Sequence, residues 1–340
     1  MATNYTVETV NTQFINQAFV DKVYSGHIKE AMDAMSTFVR QKLREEGFTR
    51  KVFTPQLVTS SDIDRDLTDQ PRIIVEKEPD SVAASFGLNG KAELRYFKTP
   101  RYEVSFYKVA SPDFRKSKYE LATYKANIQQ ILQENSVKDI QKQEDKNFVG
   151  NLKTITAGAG AGPYDPFALF NAVAGTGGAS STNMAMGVTS LMEQIAVLAN
   201  NQQKPGKILM PYGLYLKLLA RKATMVGSAV AGESFRGAGL NDFYGFQIIT
   251  TNKSDILTSD ANDAAKYGDT VYVFAPESYL GQFYSLQEPT VFLKTEADMI
   301  EFHTYEAVGV GIGNVRGFVE GKYDISSAAV DPDREYIVGP

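Results

Sequence analysis

At 340 residues, 43% of them hydrophobic, the chain has enough apolar material for a sizeable core and for two domains or more. It has no cysteine, which removes disulfides, cysteine–zinc sites and thiol nucleophiles together, and its two histidines, His27 and His303, lie far apart in the sequence, outside any metal-ligand spacing. A formal net charge of −5, without a Lys/Arg-rich tail, argues against gripping nucleic acid by counterion release.

No apolar run approaches the ~20 residues needed to span a bilayer. The N-terminal MATNYTVETVNTQF lacks the basic-then-apolar order of a signal peptide. A soluble protein, cytoplasmic where it is made, is expected.

Residues 1–24 mix Thr, Asn and Val and read as a loosely ordered arm with one short helix. A firmer helix is predicted over 26–46, where Ile28, Met32, Met35, Val39 and Leu43 line one face and Gly47 supplies a stop. KVFTPQLVT (51–59) turns to β-type composition. RIIVEKE (72–78) and ELRYFKTPRYEVSFYKVA (93–110) then read as the two strands of a long hairpin, with Asn89-Gly90 as a turn signal between them. A two-stranded ribbon of that length has little core of its own and requires a partner surface. Ser111-Pro112-Asp113 opens the longest predicted helix, 113–149, with Leu121, Tyr124, Ile128, Ile131 and Leu132 as its apolar stripe and Val137, Ile140 and Phe148 extending it.

Two glycine-rich stretches, 156–166 and 174–182, read as loops. A helix over 184–200, a buried strand at 207–210 and a helix over 211–222 follow. The rest, 240–325, alternates turns with the short β-like runs FQIITT, TVYVFAP, PTVFLKT, MIEFHTYEAVGVGIGN and VRGFVEGK. The fold class is α+β.

Motifs that suggest chemistry fail on single residues. GVGIGNVRG places Arg316 where a dinucleotide fingerprint requires its third glycine, and no helix follows; the alternative is a strand whose Gly309, Gly311 and Gly313 permit close backbone approach. GLNGKA (87–92) is too short for a phosphate loop, and Ala92 replaces the magnesium-binding hydroxyl. Asp62, Asp64 and Asp66 match the first three ligand positions of a calcium loop, but Leu67 and Ile73 stand where Gly and Glu belong, so a solvated acidic loop is the stronger reading. AGESFRG (231–237) is not a nucleophile elbow, because Arg236 replaces its second glycine. No catalytic residue, cofactor-binding residue or cofactor is assigned, and the chain is not read as an enzyme. What survives is an arm, an unsupported hairpin, a spanning helix and glycine-rich joints, the parts of a protein that completes itself against copies of itself.

The order of these parts resembles the Hong Kong 97-type major capsid protein of tailed bacteriophages over roughly 50–325. The hairpin at 57–110 is similar to the family's extended loop. FYKVASPDFRKSKYELATYKANIQQILQENSVKDIQKQEDKNFVGNL (106–152) is similar to its spine helix. KPGKILMPYGLYLKLLARK (204–222) and LNDFYGFQIITT (240–251) are similar to its axial segments, and DTVYVFAPESYLGQFYSLQEPTVFLKT (269–295) to the stretch returning to the peripheral domain.

The resemblance implies an N-terminal arm and helix (1–50), an extended β-hairpin loop (51–112), a peripheral domain (113–203), an axial domain (204–285) and return strands with a C-terminal segment (286–340). It implies self-assembly into hexamers and pentamers of an icosahedral head around double-stranded DNA, in non-specific proximity to that DNA. The expected partners are a portal protein, a separate scaffolding protein and a decoration or cement protein; no membrane is involved. The virion is the expected location, after assembly in the host cytoplasm. Pro79, Phe86, Gly87, Asn89, Gly90 and Lys91 at the hairpin tip are the expected inter-subunit contacts. An encapsulin-like shell around an enzyme cargo is the alternative within the same fold.

Overall fold

The computed structural model describes residues 7–59, 61–64, 70–76, 101–123, 128–158, 169–171, 186, 188–225, 242–243, 245–258 and 268–323. The expected loose arm is instead a helix, α1 (Val7–Tyr24), followed by α2 (Ile28–Glu46) and a single turn, α3 (Thr49–Val52). The reason is burial: Asn16, Phe19, Val20 and Val23, spaced i, i+3, i+4 and i+7, are all buried, and Phe19 stacks on Phe302 with ring centroids 6.1 Å apart. Helix α2 keeps its predicted face, with Met35 and Val39 buried.

The strands are β1 (Pro55–Leu57), β2 (Arg72–Glu76), β3 (Arg101–Ser105), β4 (Tyr107–Ala110) and β5 (Phe114–Ser117). Helices α4 (Lys118–Thr123) and α5 (Ile128–Gly158) come next, then β6 (Leu169–Asn171), α6 (Val188–Asn200), β7 (Lys207–Pro211) and α7 (Tyr212–Met225). The chain continues through β8 (Asp242–Phe243), β9 (Phe246–Thr251), β10 (Thr270–Phe274) and the turn α8 (Glu277–Leu280). It reaches the long strands β11 (Gly281–Glu296) and β12 (Met299–Ile312), a 3-10 turn at Val315–Gly317, and β13 (Phe318–Lys322).

The helix predicted over 113–149 is corrected at both ends. Residues 114–117 form β5, because β12 offers them an antiparallel partner with Phe114 opposite Phe302 and Arg115 opposite Glu301. At the other end, α5 runs on to Gly158. Phe148, Val149, Leu152 and Thr156 continue its buried face, while Gly150 lies on the exposed side, where a helical glycine costs only about 1 kcal/mol. The 31 residues of α5 reach about 46 Å at 1.5 Å per residue. Ile131, assigned to the stripe, is exposed, whereas Leu132, Val137 and Ile140 are buried. The side chains of Tyr124 and Ile128 lie outside the described residues.

Two sheets organise the chain. One is five-stranded, in the order β1-β11-β12-β4, with β5 also pairing β12. The other is six-stranded, in the order β6-β13-β10-β7-β9-β8. The second sheet is buried on both faces, and period-2 alternation divides its side chains. Leu209, Ile249, Tyr272 and Phe274 join the core shared with α1, α2, α5 and the first sheet. Ile208, Met210, Ile248, Val271, Val273 and Val319 join a second core with α6 and α7.

Candidate functional site

The glycine alternation in β12 is a docking seat for the hairpin root. Strands β2 and β3 pair antiparallel, from Arg72 opposite Ser105 to Glu76 opposite Arg101. Side chains at 309, 311 and 313 would point to the same face of β12, toward β3 and the β3–β4 link. A Cβ on Gly309 would meet Phe106 and the Ser105 carbonyl oxygen at 3.2 Å. On Gly311 it would lie 2.6 Å from Val104 Cγ2, and on Gly313 2.7 Å from the Tyr102 hydroxyl. The last two distances are shorter than real Cβ contacts: at Gly311 the ribbon lies too close for a side chain beside Val104, and at Gly313, one residue past β12, the Tyr102 ring would have to swing aside. The glycines serve packing, as the strand reading expects.

The seat has its own small core, made of Ile73, Val104, Phe106 and Tyr284. Burial pushes the Tyr284 phenol up to about 12, with nearby Tyr102 adding to it, and its hydroxyl donates to Gln282 Oε1 at 2.6 Å. Arg72 donates to Glu103 at 2.9 Å and stands 3.9 Å from Asp64. The ribbon is therefore seated on β12 by apolar contact, while charge ties its two strands to each other and to the segment that leads into them. Residues 77–100, with the predicted tip contacts Pro79, Phe86, Gly87, Asn89, Gly90 and Lys91, lie outside the described residues.

A second constellation holds α5 against both sheets, and nothing in the local sequence announces it. Two consecutive residues of α3 grip two consecutive residues of α5. The Thr49 backbone N–H and hydroxyl donate to Asp145 Oδ1 at 3.0 and 2.7 Å, and Lys253 approaches the other carboxylate oxygen. Arg50 donates through Nη2 and Nε to Glu144, at 2.8 Å and 3.1 Å, and through Nη2 to Glu306 Oε2 at 2.6 Å. All three side chains of the Arg50 cluster are at most 5% exposed. One guanidinium thus serves two carboxylates. Burial first, then the charge of Glu144, hold the Glu306 carboxyl well above the usual carboxylate range against the opposing pull of Arg50. Glu306 is thereby held toward its protonated form beside the cationic guanidinium.

Lys207 ties α3 to the second sheet. Its ammonium donates to the carbonyls of Lys51 and Val52 at 2.9 and 2.8 Å and to Glu277 at 2.8 Å. A cation is favourable at these helix-terminal carbonyls. Burial pushes Glu277 upward, but hydrogen bonds and charge from Lys207, with hydrogen bonds from Thr54, outweigh it and leave the carboxyl below its usual range.

The remaining candidates are scattered. Asp62 accepts from the Thr59 backbone N–H at 3.1 Å and from its hydroxyl at 2.5 Å, a local turn, and Asp64 faces Arg72. Asp66 lies outside the described residues. No group of three His, Asp or Glu able to hold a metal occurs among the described residues. His27 lies 3.6 Å from Glu30. His303 is less bland than its sequence context suggests: Nε2 lies 3.4 Å from Glu301, two residues away on the same strand, and Nδ1 lies 2.6 Å from Asp113, which the β5–β12 pairing brings alongside.

No family model and no curated protein matches the sequence. Solved structures do match its shape. The capsid asymmetric unit of cyanophage Pam1 superposes with a TM-score of 0.55 at 9% identity, covering 82% of this chain and 89% of that one. A chain of Microbacterium phage Oxtober96 gives 0.54 at 12% identity, covering 82% and 91%. The capsid of cyanophage P-SCSP1u gives 0.51 at 13% identity, covering 81% and 87%. With a spine-like α5, a two-stranded ribbon seated on a glycine strand and two mixed sheets, the chain has the Hong Kong 97-type fold of phage capsid subunits.

Proposed function

We propose that this protein is the major capsid protein of a tailed phage, a structural subunit rather than an enzyme, which assembles through copies of itself into hexamers and pentamers of an icosahedral head around double-stranded DNA. The observation that carries this is the ribbon: its root is seated on β12 with a small core, and its described strands, Arg72–Glu76 and Arg101–Ser105, pair only with each other, a two-stranded element with little core of its own. A surface supplied by a neighbouring copy resolves that deficit, and many such interfaces add up in a closed shell. In this reading the five-stranded sheet with α5 belongs to the peripheral domain and the six-stranded sheet to the axial domain, which then takes in β6 and β13 from outside the expected 204–285. A separate scaffolding protein, a portal and a decoration protein are the further partners, and the virion is the destination.

Negative-stain electron microscopy of the expressed protein, after size-exclusion chromatography with light scattering, tests the proposal. Closed shells or rings of five and six subunits are expected. A monomer that stays monomeric both alone and with a co-expressed scaffolding protein overturns it. The tip contacts have their own test. Phe86→Asp should abolish or sharply reduce particles while leaving the urea denaturation of the subunit unchanged, and particles in normal yield would remove Phe86 from the interface.

A further inference from the structure

We propose that the groove between β4 and α5 docks an extended acidic segment of a different protein, which adds to β4 as a further strand. This inference does not use the capsid reading; it rests on three features of one place. First, β4 ends its row of the five-stranded sheet. It pairs β12 from Tyr107 opposite Val308 to Ala110 opposite Tyr305, and no strand among the described residues takes its other edge. Such an edge is a row of backbone donors and acceptors ready for another chain. Second, α5 exposes Lys138, Lys142 and Lys146 at i, i+4 and i+8, a single ridge on the side away from its buried Ile140, Glu144 and Phe148. Third, Lys108–Ala110 and Pro112 on one side and the outward residues of α5 from Asp139 to Asn147 on the other line an open groove of about 620 Å³, so the groove runs along both elements.

The chemistry of that groove selects its occupant. Lys108, Lys142 and Lys146 line it against one acid, Asp139; Lys142 also pairs with Asp255 at 3.1 Å, and the Lys108 ammonium lies 3.8 Å from the centre of the Tyr305 ring. The balance is cationic on a chain whose net charge is −5. The spacing also fits. Lysines four residues apart repeat about every 6 Å along a helix. Alternate side chains of a strand repeat about every 6.8 Å. A peptide with an acid at every second position would therefore present a carboxylate to successive lysines while its backbone pairs with β4. A nucleic acid backbone fits less well. A DNA backbone has no donors for the β4 carbonyls, and Asp139 would repel the phosphates of DNA or RNA alike.

The test uses the full-length protein and a fluorescein-labelled octapeptide alternating Glu and Val, read by fluorescence anisotropy and by hydrogen exchange. Binding is expected, with slowed exchange at 107–110. Affinity should fall at least tenfold in the double variant Lys142→Glu, Lys146→Glu, whose unchanged urea denaturation would show an intact fold. The matched Lys-Val peptide should not bind. Three results would overturn the proposal: equal binding by wild type and variant, no protection at 107–110, or equal competition by a thymidine oligonucleotide. A fourth would overturn the choice of occupant: self-association of the wild-type protein, seen by light scattering, that blocks the peptide and is lost in the double variant would assign the groove to a second copy.

Discussion

Arg50→Ala is expected to lower the stability of the subunit by about 3–5 kcal/mol at pH 7, the usual cost of stripping one partner from a buried ion pair. The magnitude follows from what stays behind. Glu144 and Glu306 are almost fully buried and face each other through the guanidinium that now vanishes. Neither can reach water, so the variant must bury an unpaired carboxylate, neutralise it, or open the junction between α3, α5 and β12. The defect should therefore shrink as the pH is lowered toward 5, where protonation costs less. Urea denaturation at the two pH values measures both effects. A loss below about 1 kcal/mol at pH 7 would mean that the cluster is not the clamp described here.

Glu306→Gln isolates the second carboxylate. The folded value of Glu306 lies well above its ordinary 4.5, so its protonated form contributes stability fully below about pH 4.5. That contribution is lost as the pH rises through the folded value. Gln keeps the shape and carries no titratable proton. The variant should match wild type near pH 5 and lose less stability than wild type on going to pH 9. Parallel pH profiles for the two proteins would place the titration elsewhere.

Gly311→Val should both destabilise the subunit and stop assembly. Even a bare Cβ would sit 2.6 Å from Val104 Cγ2 and 3.4 Å from the Tyr102 ring, and valine adds two methyl groups beyond it. Overpacking of this kind typically costs about 1–3 kcal/mol. The ribbon is the element able to give, because β12 is held by β11 along its whole length. A lifted root re-aims everything distal to it, so particle yield should fall more than stability does. The pair Gly311→Ala and Val104→Ala supplies the control. Removing the Val104 methyls makes room for the new Cβ, and the two changes should couple by at least about 0.5 kcal/mol in a double-mutant cycle. Additive effects in urea denaturation, or full particle yield from Gly311→Val, would separate the seat from assembly.

Much of the architecture was legible because burial leaves a period in the sequence. Helix α2, the paired strands of the ribbon, buried β7 and the run of strands after residue 245 all follow from 3.6- or 2-residue spacing. The misses came where one residue interrupted a pattern. Polar Asn16 begins the buried row of α1, and the helix expected to end at 149 runs on past Gly150, an exposed position within α5. The glycines of β12 were correctly a matter of close approach, but what approaches them was not legible.

The sequence by itself determined which residues want burial, where most of the helices and strands lie, and that the dinucleotide, phosphate-loop, calcium-loop and nucleophile-elbow patterns each lack a required residue. Those are local properties, set by side-chain chemistry and spacing. Only the tertiary structure decided that 114–117 is a strand, since its backbone groups pair with β12 far along the chain. Only the tertiary structure brought Thr49 and Arg50 to Asp145 and Glu144, or Arg50 to Glu306, separations of 94 to 256 residues. Charge carries no period and names no partner. A buried ion pair is chosen by which surfaces the cores have already pressed together.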